Sequence, residues 1–146
     1  MQLLPPVLVL ITLGAMMVLG TLAPGPTLID YPYSLAGTVL AATGFIVSFA
    51  GSRQFARVST NIRTFDEPGT LVTGGLFRLS RNPMYLGFVV LLLGTAVLIG
   101  GTTPFLAVII FAIITDRWYI AYEERAMARR FGADYATYTG RTRRWL

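Results

Sequence analysis

The sequence predicts an all-α integral membrane protein with four transmembrane helices, the third and fourth forming a hairpin, plus a cytoplasmic helical extension. Three observations predict it. First, 54% of the residues are hydrophobic and only 13% are charged, against about a quarter charged in soluble domains. Mean hydropathy is correspondingly high, at +0.63. Second, the apolar residues gather in four runs that are almost free of charge. Third, the arginines follow the ends of those runs, the pattern of a membrane protein. A length of 146 residues suits one domain. Within it, residues 1–51 hold two membrane helices, 52–82 a cytoplasmic loop, and 83–146 the hairpin and a cytoplasmic C-terminal segment.

Leu3 to Ala23 carries no charge and reaches the roughly 20 residues that a crossing needs. Pro5 and Pro6 fall in its first turn, where proline is tolerated. No positive residue precedes the run, so a retained helix is expected rather than a signal peptide. Pro24 to Pro32 is rich in turn residues. Ser34 to Gly51 is the second run, with Gly37 and Gly44 on one helical face; small residues there let helices approach closely. Ser52 to Arg81 is a long polar segment whose start, Ser52 to Val58, extends the second helix. Asp66-Glu67-Pro68-Gly69 reads as a turn, and Leu71 to Leu79 as either extended chain or a short interfacial helix. Met84 to Ile99 is the third run, again with two glycines on one face, Gly87 and Gly94. Gly100 to Pro104 is a tight turn. Phe105 to Ile114 begins the fourth run, which becomes polar at Thr115-Asp116-Arg117. Trp118, Tyr119 and Tyr122 follow as an interfacial aromatic belt. Glu123 to Phe131 continues as helix, with Gly132 as its expected C-cap, and Asp134 to Leu146 is a basic tail.

The connections after the first and third runs contain no arginine, whereas the long loop and the chain from Arg117 onward hold all of it. By the positive-inside rule the loop and both termini face the cytoplasm. The net charge of +5 follows from these run ends, so no nucleic-acid partner is expected.

The absences restrict the chemistry. There is no Cys and no His, so thiolate nucleophiles, iron–sulfur clusters and the commonest general base and metal ligand are excluded. Every basic residue is Arg, which excludes a lysine Schiff base. No Walker or Rossmann fingerprint occurs, and no metal site is expected from the carboxylates alone.

Two polar clusters remain. Leu71 to Gly87, LVTGGLFRLSRNPMYLG, ends a polar loop and opens the third helix. Asn82 suits a capping role through its side-chain oxygen, and Pro83 suits the first helical position. The second cluster, Asp116 to Arg130, closes the fourth run. Seven residues are close to two helical turns, which puts Asp116, Glu123 and Met127 near one face, with Arg117 and Glu124 on a neighbouring face. An ionisable group at membrane depth needs a cavity or a partner, so Asp116 and Arg117 are site candidates. Plainer roles compete with these. Arginines at a membrane border ordinarily snorkel or neutralise lipid phosphate, the expectation for Arg53, Arg57, Arg141, Arg143 and Arg144. Glu123 and Glu124 could be a solvated helix face, Tyr85 and Phe77 interfacial anchors, and Gly74-Gly75 a simple turn.

The order LVTGGLFRLSRNPMYLG, apolar hairpin, EER, FGADYATY and basic end resembles the isoprenylcysteine carboxyl methyltransferase family and the related membrane phospholipid methyltransferases. The resemblance covers Gly69 to Tyr138, about half the chain. It implies a small membrane enzyme that uses S-adenosyl-L-methionine. The family's cofactor-binding segment corresponds to Gly69, Thr70, Leu71 and Val72, with an aromatic at Phe77. Asn82, Pro83, Met84, Tyr85 and the acid Glu123 complete it. Many relatives have His where this chain has Asn82, and Asn cannot shuttle a proton. The eukaryotic enzymes contact substrate through an Arg whose aligned position here is Tyr119; the nearest Arg is Arg117. Arg117 and Glu124 are accordingly the candidate catalytic pair.

Methyl transfer is an in-line displacement that requires mainly alignment and desolvation. A carboxylate or thiolate acceptor needs no base, whereas a lipid amine must lose a proton, to Asp116, Glu123 or Glu124. The expected partners are a lipophilic small-molecule or lipidated substrate and membrane lipid; the sequence carries no signal of oligomeric state. A small four-helix transporter and a non-catalytic membrane scaffold are the alternatives. The spatial expectation is that Tyr85 and Glu123 line one pocket.

Overall fold

The computed structural model describes residues 4–58 and 70–146. These form five helices: α1 (Pro5–Leu22), α2 (Ala36–Val58), α3 (Pro83–Ile99), α4 (Thr102–Ile114) and α5 (Ala121–Arg141). Short 3₁₀ turns cover Tyr33–Leu35 and Gly75–Arg78, and a π-helical turn, Thr115–Ile120, joins α4 to α5. Three segments, Pro5–Leu22, Tyr33–Arg57 and Thr102–Arg141, are long and apolar enough to cross a membrane. Pro83–Ile99 is a shorter apolar helix; its 17 residues stand at the lower limit of roughly 17–25 for a span. Many large apolar side chains point outward, among them Leu10, Val39, Ile46 and Ile109. Such a surface suits lipid rather than water as the surrounding solvent.

α3 is the central helix, in contact with α1, α2 and α4. α3 and α4 are joined through Gly100–Gly101 and touch, yet each packs more closely elsewhere, α3 on α2 and α4 on α1. The two glycine pairs explain this preference. A Cβ built at Gly44 would fall on the Leu91 backbone, and one at Gly94 on the Ala41 backbone. The bare faces of α2 and α3 therefore meet with no side chain between them, and each gains close van der Waals contact. Gly44→Val should lower stability by about 1–3 kcal/mol, because backbone cannot yield as a side-chain tip does. Thermal unfolding in detergent checks this, with Gly14→Ala, which meets nothing within 4 Å, as the neutral control.

The α1–α2 and α3–α4 connections are tied at one end of the bundle. Leu28 N–H donates to Gly100 O at 2.8 Å, Thr102 N–H to Pro26 O at 3.1 Å, and the Thr103 hydroxyl to Ala23 O at 2.6 Å. The loop from Thr70, the start of α3, the π turn and the C-terminal residues gather in a separate cluster with α5, where the charge network described below is found. Between these regions, Met16, Leu92, Ala96 and Phe111 form the apolar core.

Two details differ from expectation. Gly132, with φ +48° and ψ −115°, leaves the helical conformation and closes the first arm of α5 where a C-cap was expected, but the chain resumes as helix beyond this kink and runs on to Arg141. Asn82 is the N-cap residue of α3, but its side chain makes no capping hydrogen bond; the amide is used elsewhere.

Candidate active site

The loop from Thr70 to Arg81 is pinned to the bundle before it reaches α3. Gln54, in the last turns of α2, donates to Gly74 O and accepts from Leu76 N–H at 3.1 Å. The following 3₁₀ turn buries Phe77, whose carbonyl accepts the Tyr138 hydroxyl at 2.6 Å. Val72, Phe77, Tyr135 and Tyr138 form a buried cluster, flanked by Phe55, Leu71, Met127 and Phe131. The kink at Gly132 lies between Phe131 and Tyr135, so side chains from both arms of α5 pack on the loop.

Beside this aromatic cluster is a network of charge. The Tyr85 hydroxyl, on a side chain only 3% exposed, donates to Glu123 Oε1 at 2.8 Å. Arg81 Nη2 pairs with Glu124 Oε1 at 2.9 Å. Arg144 pairs through Nη2 with Glu124 Oε2 and through Nη1 with Asp116 Oδ1, the latter at 3.2 Å. Trp145 Nε1 donates to Asp116 Oδ1 at 2.9 Å, and its ring packs by Tyr85, Tyr119 and Ile120. The backbone of this last segment is held as well. Arg81 N–H donates to Arg143 O at 3.0 Å, and the Asn82 side-chain amide to Arg144 O at 3.1 Å. This is the use made of Asn82 in place of capping. Hydrogen bonding to Glu124 raises the Arg144 pKa above its ordinary value against the opposing effect of burial, so the guanidinium stays charged.

The structure thus brings together Tyr85, Glu123, Glu124, Asn82 and Pro83, with Val72 and Phe77 alongside. Leu71 and Met84 are half-buried at the margins and Thr70 is exposed. Gly69 lies outside the described residues, as do Arg63, Asp66 and Glu67. Arg117 is separated from Glu124: its side chain is 84% exposed, with one longer contact, 3.6 Å, to Asp116 Oδ2. The face assignment from regular helical spacing fails here for a physical reason. A π turn bonds i to i+5 and takes in about one extra residue, so two turns span about eight residues rather than seven. Asp116 therefore shares a face with Glu124, and both reach Arg144.

Arg144 also departs from the expectation for the basic tail. Its guanidinium meets two carboxylates of the chain instead of lipid phosphate. Arg81, Arg144, Trp145, Tyr135 and Tyr138 join the site without having been singled out as site residues. A Trp placed directly after Arg143-Arg144 at the end of a polar tail was the one available signal that residues 143–145 return as a strap across the site.

A sequence model of the phospholipid methyltransferase family matches residues 33–134. An uncharacterised protein of Haemophilus influenzae is 36% identical over 63 residues, which are 43% of this chain and 100% of that protein. Protein-S-isoprenylcysteine O-methyltransferase A of Arabidopsis thaliana is 31% identical over 107 residues, 70% of this chain and 53% of the plant protein. The B protein of the same plant is 32% identical over 110 residues, 73% of this chain and 52% of its own length. The chain spans about half the length of these plant relatives. No solved structure matches the chain significantly.

Proposed function

The chain belongs to the phospholipid methyltransferase family, and from that membership we propose that it transfers a methyl group from S-adenosyl-L-methionine to a lipophilic, membrane-resident acceptor at the cytoplasmic face. The observation that carries this reading is the 2.8 Å hydrogen bond from Tyr85 to Glu123. It joins two polar clusters that are remote in sequence and lie at the ends of apolar helices. Four crossings, α1, α2, α3 and the α4 segment, with both termini cytoplasmic, agree with the arginine-free connections at one end of the bundle.

The residues present fit the cofactor. Arg81 Nε is buried with no hydrogen-bond partner among the described residues, and a guanidinium donor suits a carboxylate. Val72, Phe77, Tyr135 and Tyr138 offer the apolar and aromatic bed that an adenine requires. Glu123 offers a carboxylate to an amino group or a sulfonium. On this reading Thr70, Leu71, Val72, Phe77, Asn82, Pro83, Met84, Tyr85 and Glu123 hold S-adenosyl-L-methionine. When bound, the cofactor supplies a methyl carbon activated by its sulfonium. The chain's own groups orient and desolvate. Tyr85 fixes the Glu123 carboxylate, and Arg81 and Arg144 fix Glu124.

The oxygens of Glu124 and Asp116 are already taken up by guanidinium partners, Arg81 and Arg144, and so are not open to an incoming amine. An acceptor that arrives as a nucleophile, a carboxylate or thiolate, therefore suits the site better than an amine that must be deprotonated. Arg117, turned outward, is not placed to act with Glu124.

Calorimetry of the purified chain in detergent with S-adenosyl-L-methionine tests the proposal. Saturable binding is expected, followed by transfer of labelled methyl into a membrane-lipid or prenylcysteine acceptor. Absence of any binding heat across the soluble range of the cofactor would overturn it.

A further inference from the structure

We propose that the outer face of the α4–α5 junction is a binding site for an anionic phospholipid of the surrounding leaflet. The site is separate from the Tyr85–Glu123 cluster and does not depend on the methyl-transfer reading. A hollow of about 400 Å³ is lined by Ile113, Ile114, Arg117, Trp118, Tyr122 and Arg125. Its chemistry is graded along the helix. Leu106, Ile109, Ile110 and Ile113 are all more than half exposed and form a stripe at helical spacing on the membrane side. Trp118, 69% exposed, and Tyr122 follow, at the level where amphipathic rings sit between hydrocarbon and water. Arg117 and Arg125 complete the polar end.

The charge balance favours an anionic ligand there. Asp116, the acid nearest Arg117, already accepts from Arg144 and Trp145. Among the described residues no acid pairs with Arg125. Two guanidiniums around one hollow, above an apolar stripe, match a phosphodiester attached to an acyl chain: the phosphate takes the donors and the chain covers the isoleucines. A soluble anion would meet the arginines alone, whereas a lipid phosphate reaches them from the leaflet that the isoleucine stripe already faces.

The test places the chain in vesicles that contain brominated phosphatidylglycerol or brominated phosphatidylcholine at equal mole fraction. The chain has two Trp, so W145F isolates Trp118 emission. Should W145F not fold, native mass spectrometry of the unaltered chain counts the same two lipids directly. Phosphatidylglycerol is expected to associate preferentially, on the order of fivefold for each arginine. R117Q/R125Q should lose most of that preference, while R53Q, whose guanidinium lies over the Phe49 ring on α2, should keep it. Equal association of the two lipids, or an unchanged preference in R117Q/R125Q, overturns the proposal. So does displacement of the lipid by inorganic phosphate, which would mark a site for small anions.

Discussion

Replacing Arg144 with Gln is expected to lower both stability and methyl transfer, although only two residues follow it in the sequence. Among the described residues its side chain alone joins Asp116, at the π turn, to Glu124, on α5. Without it, Glu124 retains Arg81, and Asp116 retains Trp145 and the exposed Arg117. The side chain of Arg144 is 37% exposed, so solvent screens part of the loss. A destabilisation of about 1–3 kcal/mol is expected for charge-assisted bonds in that setting. The effect on transfer should be larger, on the order of 10–100-fold, because the strap also holds Asn82 and Arg81 through its backbone carbonyls. Arg144→Lys should recover stability only in part, since an ammonium cannot reproduce the planar fork between two carboxylates. Thermal unfolding in detergent and a labelled-methyl assay read the two effects. If R144Q melts and reacts as the unaltered chain does, the strap has no part in the site.

Glu123→Gln should weaken cofactor binding by about 10–100-fold, the range for losing a charged hydrogen-bonding partner. The amide keeps the shape and can still accept from Tyr85, so the change isolates the charge. Tyr85→Phe removes the donor and should cost on the order of tenfold. Glu123→Asp keeps the charge but draws it back by one methylene, and an intermediate value is expected. Calorimetry with S-adenosyl-L-methionine gives the affinities, and unfolding temperatures show whether the fold is intact. A non-catalytic scaffold would show no ligand effect in any of the three. Loss confined to stability would make the Tyr85–Glu123 bond a packing device.

Much of the architecture was legible because it depends on local rules. An apolar run of sufficient length becomes a helix in lipid since its backbone groups have no other partners. Pro83 marks the start of α3 because it lacks a donor that this position would leave unused. Gly37, Gly44, Gly87 and Gly94 declared two bare helix faces. The meeting of the Tyr85 and Glu123 clusters was expected from topology, which puts both at the cytoplasmic ends of apolar runs, and from the family resemblance, since no local rule relates residues that far apart.

The sequence by itself determined the all-helical class, the apolar segments, the Arg-free connections and the two polar clusters. Only the tertiary structure decided that the glycine faces meet each other, which makes α2 and not α4 the closest neighbour of α3. It alone decided that Asp116 and Glu124 share a face, because a π turn is a change of hydrogen-bond register with no residue type to announce it. And it alone decided what Arg144 does. A guanidinium in a basic tail has the same chemistry whether it meets lipid phosphate or a carboxylate, and its partner is fixed by where the chain returns in space.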